Sequence, residues 1–503
     1  MWIINSIFKE NPAKMKKHSL LIIALLILSC TGHADVRMPY VFSDNMVLQR
    51  DMGLTVWGWA DAGEEISLEF SGQKVKTAAA PDGTWSLKLK AMPANKEPQI
   101  MAIEGKNRLE LKNILVGDVW LCSGQSNMDY GIGRSLSKEE IEKPENSLIR
   151  HFKVERDCSS APKKELLQSG WKCVGPGTIK KYTAVGYYFA REVVTAIDVP
   201  VGILTSTRGA TRINTWIAAE GYRKIGELKA ISDEIELRKT AESGEEDKDI
   251  QKPSGLFNAM VNPLIPFGIK GVLWYQGESN AEDSDLYLQK MQALVSGWRD
   301  LWKQGEFPFY YVQLANCRAP NTENPAGGDG WARVREDQLK ALTAISNSGM
   351  AVAIDIGEGK NIHPKNKLDV GRRLAAWALA KDYKKDLTFS GPIYRDFKIE
   401  GNRIRIFFDY AENGLIKGVK EGAEPVKMAE DGKLKWFAVT GEDKRWYWAD
   451  AVIDGSTVLV SSDKVSSPLA VRYAFCANPE GSNLYNKEGL PASPFRTDKW
   501  RIR

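Results

Sequence analysis

Five continuous apolar runs, at residues 119–122, 201–204, 272–275, 309–314 and 351–356, constrain this chain more than any other feature. Each has strand length and is apolar at nearly every successive position, so both of its faces need cover, as in a parallel sheet flanked by helices. The segments between the runs are long enough for crossover connections. One intervening helix is written plainly: Val185, Phe189, Val193 and Ile197 recur on one face ahead of Pro200. A second is predicted from Leu368 through Arg372 to Leu379. The highly charged segment 218–252 reads as a solvated helical insertion followed by a flexible loop. Residues 253–267 read as a packed helix, with Asn258 a candidate to face a cleft.

On either side of these runs the period changes to two. Ile66, Leu68 and Phe70, then Trp85, Leu87 and Leu89 after the Pro81-Asp82-Gly83 turn, alternate as antiparallel strands do. The same alternation returns at Ile404 and Ile406 and at Val458 and Val460. With 503 residues the chain exceeds one ordinary core. The expected organisation is a β domain over 35–115, an α/β domain over 116–388, and a β-rich region over 389–503, either free-standing or packed beside the first.

Residues 1–34 read as an export signal: Lys14, Lys16 and Lys17 precede an apolar stretch at 20–28, and Gly32-His33-Ala34 offers a cleavage site. That stretch is too short to span a bilayer, and Met15 is a second candidate start. Periplasmic, cell-surface or secreted delivery is expected. Cys30, after Ile27-Leu28-Ser29, loosely resembles a bacterial lipoprotein box, so lipid anchoring is a variant of the same expectation. Of the five later cysteines, Cys158 and Cys173 bracket a short polar loop and are the expected disulfide pair, whereas Cys122 sits in an apolar run. None has zinc-type spacing, and no metal site is expected. The formal charge of +5 includes +3 from residues 1–34, so no basic face remains to bind nucleic acid.

Chemistry-bearing residues follow the carboxyl ends of the apolar runs, where α/β folds place their sites. Ser126 follows the first run, Gly209 the second, Gln276 to Asn280 the third and His363 the last. Of four histidines, His18 and His33 lie in the export segment, and His151 alternates with apolar residues as a strand position would. His363 stands in a polar loop and is the natural general base for a Ser126 nucleophile. The N–H groups of Ser126 and Gly209, with a side-chain amide from Gln276 or Asn280, are candidate oxyanion donors. Glu278, Asp355 and Glu358 share the sheet edge as acids to orient His363. Lys360, three residues before the histidine, rules out an Asp-x-x-His pair, which leaves Glu278, Asp355 or no acid.

"GQSNM" at 124–128, "WYQGESN" at 274–280 and "IHPKNK" at 362–367 resemble the sialate O-acetylesterase family of SGNH-type hydrolases, and the chain is also similar to acetylxylan esterases of that group. "MPYVFSDNMVLQR" near the start and "NLYNKEGLPASPFRTD" near the end extend the likeness over nearly the whole mature chain. The resemblance implies an SGNH-hydrolase-like parallel sheet and removal of O-acetyl groups from sialic acids or other acetylated glycans, without metal or organic cofactor. Carried over by position, it makes Ser126 the nucleophile, His363 the base, Gly209 and Gln276 oxyanion helpers, and Glu278 or Asp355 the orienting acid. Gln125 and Asn127 become candidate substrate contacts. Arg212 either grips a sialic acid carboxylate or pairs with a local acid. Trp216, Trp446 and Trp448 either stack on sugar rings or pack in the core. Where the family commonly shows two glycines this chain has Gly209-Ala210, and where an acid is often seen two residues before the histidine it has Asn361. A hemicellulose acetyl esterase is the near alternative, and a non-catalytic glycan-binding protein the alternative of another class.

Overall fold

The computed structural model describes residues 35–136, 141–142, 146–240 and 249–502. Residues 1–34, expected to be an export signal and including Cys30, and residues 241–248 of the charged insertion therefore lie outside the described residues. Seven strands form the central sheet: β1 (Arg108–Gly124), β2 (Asn146–Lys153), β3 (Trp171–Val174), β4 (Val201–Thr207), β5 (Gly271–Tyr275), β6 (Phe309–Gln313) and β7 (Ser348–Val352). Their spatial order is β7-β6-β5-β1-β4-β2-β3. All neighbouring pairs run parallel except β2 with β3. Every residue of β4, β5 and β6 is buried, as continuous apolar runs require. The last run differs from expectation: β7 ends at Val352, and 353–356 leave the ladder while staying mostly buried. Apolar content reports burial and cannot by itself show where pairing stops.

Four helices cover the sheet: α1 (Ala184–Ile197), α2 (Tyr287–Trp302), α3 (Gly330–Ala344) and α4 (Lys367–Lys381). Adjacent residues of β6 show the two faces. The Tyr310 ring packs on Trp377 of α4, 6.3 Å between centroids, while the Tyr311 hydroxyl donates to the Gln338 carbonyl of α3 at 2.7 Å. Both helices expected from the sequence form within three residues of their predicted ends. The 253–267 segment is helical and mostly buried over residues 255–264, widening to a π-helix at Phe257–Val261 and tightening to a 3-10 turn at Asn262–Leu264. Pro266, which has no N–H to donate, follows its end.

The amino-terminal β region is continuous with the sheet. β1 is 17 residues long; its first half pairs with Asn95–Glu104, and Val47–Gln49 pairs with it at Leu115, Val116 and Gly117. The junction at 115/116 thus falls inside one strand, and a single apolar core runs from Val36 across the α/β layers. The carboxy-terminal strands have a second core, from Ile404 to Phe495, and pack against the α/β unit. Arg335 of α3 makes that joint. Fully buried, its guanidinium donates to the carbonyls of Leu314, Ala315, Cys476 and Ala477 at 2.7–2.9 Å. Burial pulls it down to about 10. Arg335→Ala strands these carbonyls without donors, so urea unfolding is expected to show a loss of about 3 kcal/mol or more.

Candidate active site

The register of three strands assembles the site. Gly124 at the end of β1 lies level with Thr207 of β4 and Tyr275 of β5, so the three following loops start from one ledge. Gly124 has φ +126°, and a Cβ there would come within 2.2 Å of the Tyr275 carbonyl oxygen. Only glycine fits. The chain then turns: Gln125 N–H donates to that carbonyl, and the Gln125 carbonyl accepts from Met128 and Asp129. Ser126 sits at the start of this turn, above the sheet edge. The small polar residues after β1 are therefore the turn itself.

His363 comes from the loop between β7 and α4, and its Nε2 lies 2.8 Å from Ser126 Oγ. Asn361 shapes this loop. Its Oδ1 accepts from the His363 N–H at 3.0 Å, while its Nδ2 donates to the His363 carbonyl and to Glu358. The other Glu358 oxygen accepts from Lys365 N–H at 2.8 Å. Among the described residues no carboxylate accepts a hydrogen bond from the His363 ring. Burial, then the charges of Lys367 and Arg134, lower the imidazole below its ordinary range. Both effects favour the neutral ring, the form whose nitrogen can accept a proton.

Neither acid expected to orient it bonds the His363 ring. Asp355 is fully engaged by Arg373, at 2.6 and 2.7 Å, and also accepts from the Tyr485 hydroxyl. It sits in the turn after β7, where it ties α4 and the carboxy-terminal strands together. Glu278 is buried and accepts from Asn127 Nδ2. Its other oxygen has no partner, and burial pushes its carboxyl upward.

Two unused N–H donors stand at Ser126, and a third stands on the loop after β5. Among the described residues neither the Ser126 nor the Gly209 backbone N–H has a hydrogen-bond partner. A Cβ on Gly209 would meet Ser126 Cβ at 3.4 Å, so the two backbones are adjacent. The third is Asn280 Nδ2, buried and unpaired. Its orientation is fixed, because Asn280 Oδ1 accepts from Gln276 Nε2 at 2.8 Å and from Ile213 N–H at 3.0 Å. Gln276 itself differs from expectation. Its two amide hydrogens go to Thr211 and Asn280 and its oxygen to Tyr287, so it positions Asn280 and has nothing left for an oxyanion.

The flanking amides are likewise internal. Gln125 Oε1 accepts from Gly277 and Ser279 N–H, at 3.4 and 3.3 Å. Asn127 is 1% exposed: Nδ2 donates to Glu278 and to the Ile362 carbonyl, and Oδ1 accepts from Lys367 Nζ at 2.6 Å. Asn127 has nothing left for substrate, whereas Gln125 Nε2 has no hydrogen-bond partner among the described residues and keeps its donors for a ligand. Lys367 escaped the sequence reading, although it falls on the same helical face as the buried Val370, Gly371 and Leu374, where a cation is out of place. Arg212 is half-exposed on the loop after Gly209, with Asp283 3.7 Å away. Trp216 is core, Trp446 lies under Arg472, and Trp448 is exposed. Asn258 donates to the carbonyls of Ser159 and Ser160 instead of facing a cleft. His151 occupies β2, bound to Thr205 Oγ1 at 2.6 Å, and burial takes it down to about 3. The expected cross-link is not formed: Cys158 Sγ donates to the Asp249 carbonyl and Cys173 Sγ meets Arg150. Among the described residues no group of three or more His, Cys, Asp or Glu is placed to hold a metal, and no helix is long and apolar enough to cross a membrane.

Comparison with known proteins bears on the same region. Residues 116–380 match the family model described as carbohydrate esterase, sialic acid-specific acetylesterase. The chain is 28% identical to the sialate O-acetylesterase of Rattus norvegicus, covering 94% of this chain and 97% of that one. Against the Homo sapiens sialate O-acetylesterase the figures are 27%, 91% and 92%. A solved carbohydrate acetylesterase from Xanthomonas citri is 35% identical, with TM-score 0.82 over 93% of this chain and 100% of that one.

The departure at residue 210 has a structural cost. Ala210 adopts φ +58°, a left-handed conformation that disfavours side chains, and Gln251 props it by donating to its carbonyl. Ala210→Gly is expected to raise stability by up to about 1 kcal/mol, read as a higher urea midpoint at unchanged slope.

Proposed function

Because the chain belongs to the carbohydrate esterase, sialic acid-specific acetylesterase family, we propose that it is an exported enzyme that removes O-acetyl groups from sialic acids, with Ser126 as nucleophile and His363 as base. The observation that carries this is the 2.8 Å contact between Ser126 Oγ and His363 Nε2, groups 237 residues apart in the chain. Ser126 Oγ attacks the acetyl carbonyl as its proton passes to Nε2. The negative oxygen of the tetrahedral intermediate lies against the N–H groups of Ser126 and Gly209 and Asn280 Nδ2. Collapse expels the sugar oxygen, which takes the proton back from His363. Water, deprotonated by the same nitrogen, then attacks the acetyl-enzyme and releases acetate and free Ser126.

No carboxylate steadies the imidazolium in this scheme, so His363 and Ser126 act as a dyad. Ser126→Ala and His363→Ala should each lower kcat on 4-nitrophenyl acetate by about 10³-fold or more while circular dichroism is unchanged. Asn280→Ala should cost about 10²- to 10³-fold. Full activity in the first two variants overturns the assignment. The pH profile carries a sign. A base whose ordinary value is lowered stays neutral further into acid, so kcat/KM should hold through neutrality and fall only below the ordinary histidine value of about 6.5.

The sialate reading is supported by Arg212, a half-exposed guanidinium three residues after Gly209 whose loose 3.7 Å pairing with Asp283 leaves it able to engage a sialic acid carboxylate through two hydrogen bonds. The likeness to the Xanthomonas carbohydrate acetylesterase favours a second reading, an esterase of other acetylated glycans. Acetate release from 9-O-acetylated sialic acid and from acetylated xylan, measured side by side, separates the two. The first should be the better substrate, and Arg212→Ala should raise its KM without affecting 4-nitrophenyl acetate.

A further inference from the structure

Lys367 is 0% exposed, at the first turn of α4, directly behind the nucleophile turn. Burial and the helix end both work against a cation there. It is dry, it is the positive end of a helix dipole, and burial brings the ammonium down to about 7. Its surroundings are specific. Nζ donates to Asn127 Oδ1 at 2.6 Å and lies over the rings of Tyr130, at 4.9 Å, and Tyr275, at 5.3 Å. Glu278 and Glu358 attract it and Arg134 repels it. Of the other nearby acids, Asp369 of its own helix is bound by Lys420, and Asp129 of the nucleophile turn by Lys153 and Arg156.

The hydrogen bonds give this cation a task. With its oxygen held by Lys367, the Asn127 amide must present its N–H groups the other way, to Glu278 and to the Ile362 carbonyl at 2.9 Å. Asn127 follows the nucleophile and Ile362 precedes the base. The Asn127–Ile362 bond is therefore a strap between the two loops whose side chains must meet. An amide with one face unpinned could rotate and break it.

We propose that Lys367 is a positioning residue for the esterase reaction: through Asn127 it straps the Ser126 turn to the His363 loop. The inference rests on the Ser126–His363 assignment above. A neutral substitute loosens the strap, which lowers kcat, and removes a positive neighbour of His363, which raises the pH at which the imidazole protonates. A residue that served only stability would not move the second quantity.

The test uses Lys367→Met, which keeps the stem, and the charge-balanced double variant Lys367→Met/Glu278→Gln, which avoids leaving a buried carboxylate without its cation. Both are assayed on 4-nitrophenyl acetate across pH, beside the wild type and Ser126→Ala, with thermal unfolding recorded for each. The expected result is a folded protein in at least the double variant, kcat down by about a hundredfold, KM little changed, and the acid limb of kcat/KM moved to higher pH. A folded variant with kcat within about twofold of wild type overturns the proposal. So does a loss of kcat with an unmoved acid limb, and so does failure of both variants to fold, because Lys367 is then structural. Activity retained in Ser126→Ala places the failure in the nucleophile assignment instead.

Discussion

The site depends on a coincidence of register. β1, β4 and β5 are parallel neighbours, and their pairing sets Gly124, Thr207 and Tyr275 side by side. The loops leaving those residues carry Ser126, Gly209 and Asn280. A one-residue slip of any of the three strands would turn its buried side chains to the opposite face, so the core that fills both faces also fixes where the loops begin. The approach of Gly124 to the Tyr275 carbonyl then forces the tight turn that lifts Ser126 off the sheet. Packing energy spread over the whole α/β unit is thereby converted into the placement of a few polar atoms.

Around that ledge the amides serve mainly one another. Gln125 binds the loop after β5, Gln276 fixes Asn280, Asn127 reaches the histidine loop, and Asn361 folds that loop on itself. Asparagine and glutamine carry donors and acceptors at once, so a chain of them can transmit an orientation without adding charge. What charge there is lies behind the nucleophile, as the separated Lys367 and Glu278 joined through Asn127. The acids that could have faced His363 are spent on Arg373 and on the backbone and side chains of the histidine loop.

The parts legible from the sequence were those with local signatures. Continuous apolar runs announced doubly covered strands, the 3.6-residue recurrence of Val185, Phe189 and Val193 announced α1, and the scarcity of histidine singled out His363. The misread residues share a different character. Whether Gln276 or Asn127 faces substrate depends on which of its hydrogens a distant neighbour has taken, and that information is spread over Thr211, Tyr287, Glu278, Ile362 and Lys367. Asp355 looked like a candidate acid because it ends an apolar run, yet its partner Arg373 lies 18 residues on, two turns into the next helix. Cys158 and Cys173 were matched by sequence separation, whereas one packs near Asp249 and the other on β3 beside Arg150.

The 17-residue span of β1 has a modular consequence. Its first half is paired with the amino-terminal β region and its second half is the innermost rung of the catalytic sheet, so no peptide bond near 115/116 can be a seam. A fragment begun at residue 116 would keep Ser126 but lose Leu115 and the partners of Val116 and Gly117, laying bare apolar surface that is one with its own interior. The amino-terminal strands are thus not an accessory that recombination could swap for another binding module. Lineages sharing this strand should gain or lose the two parts together.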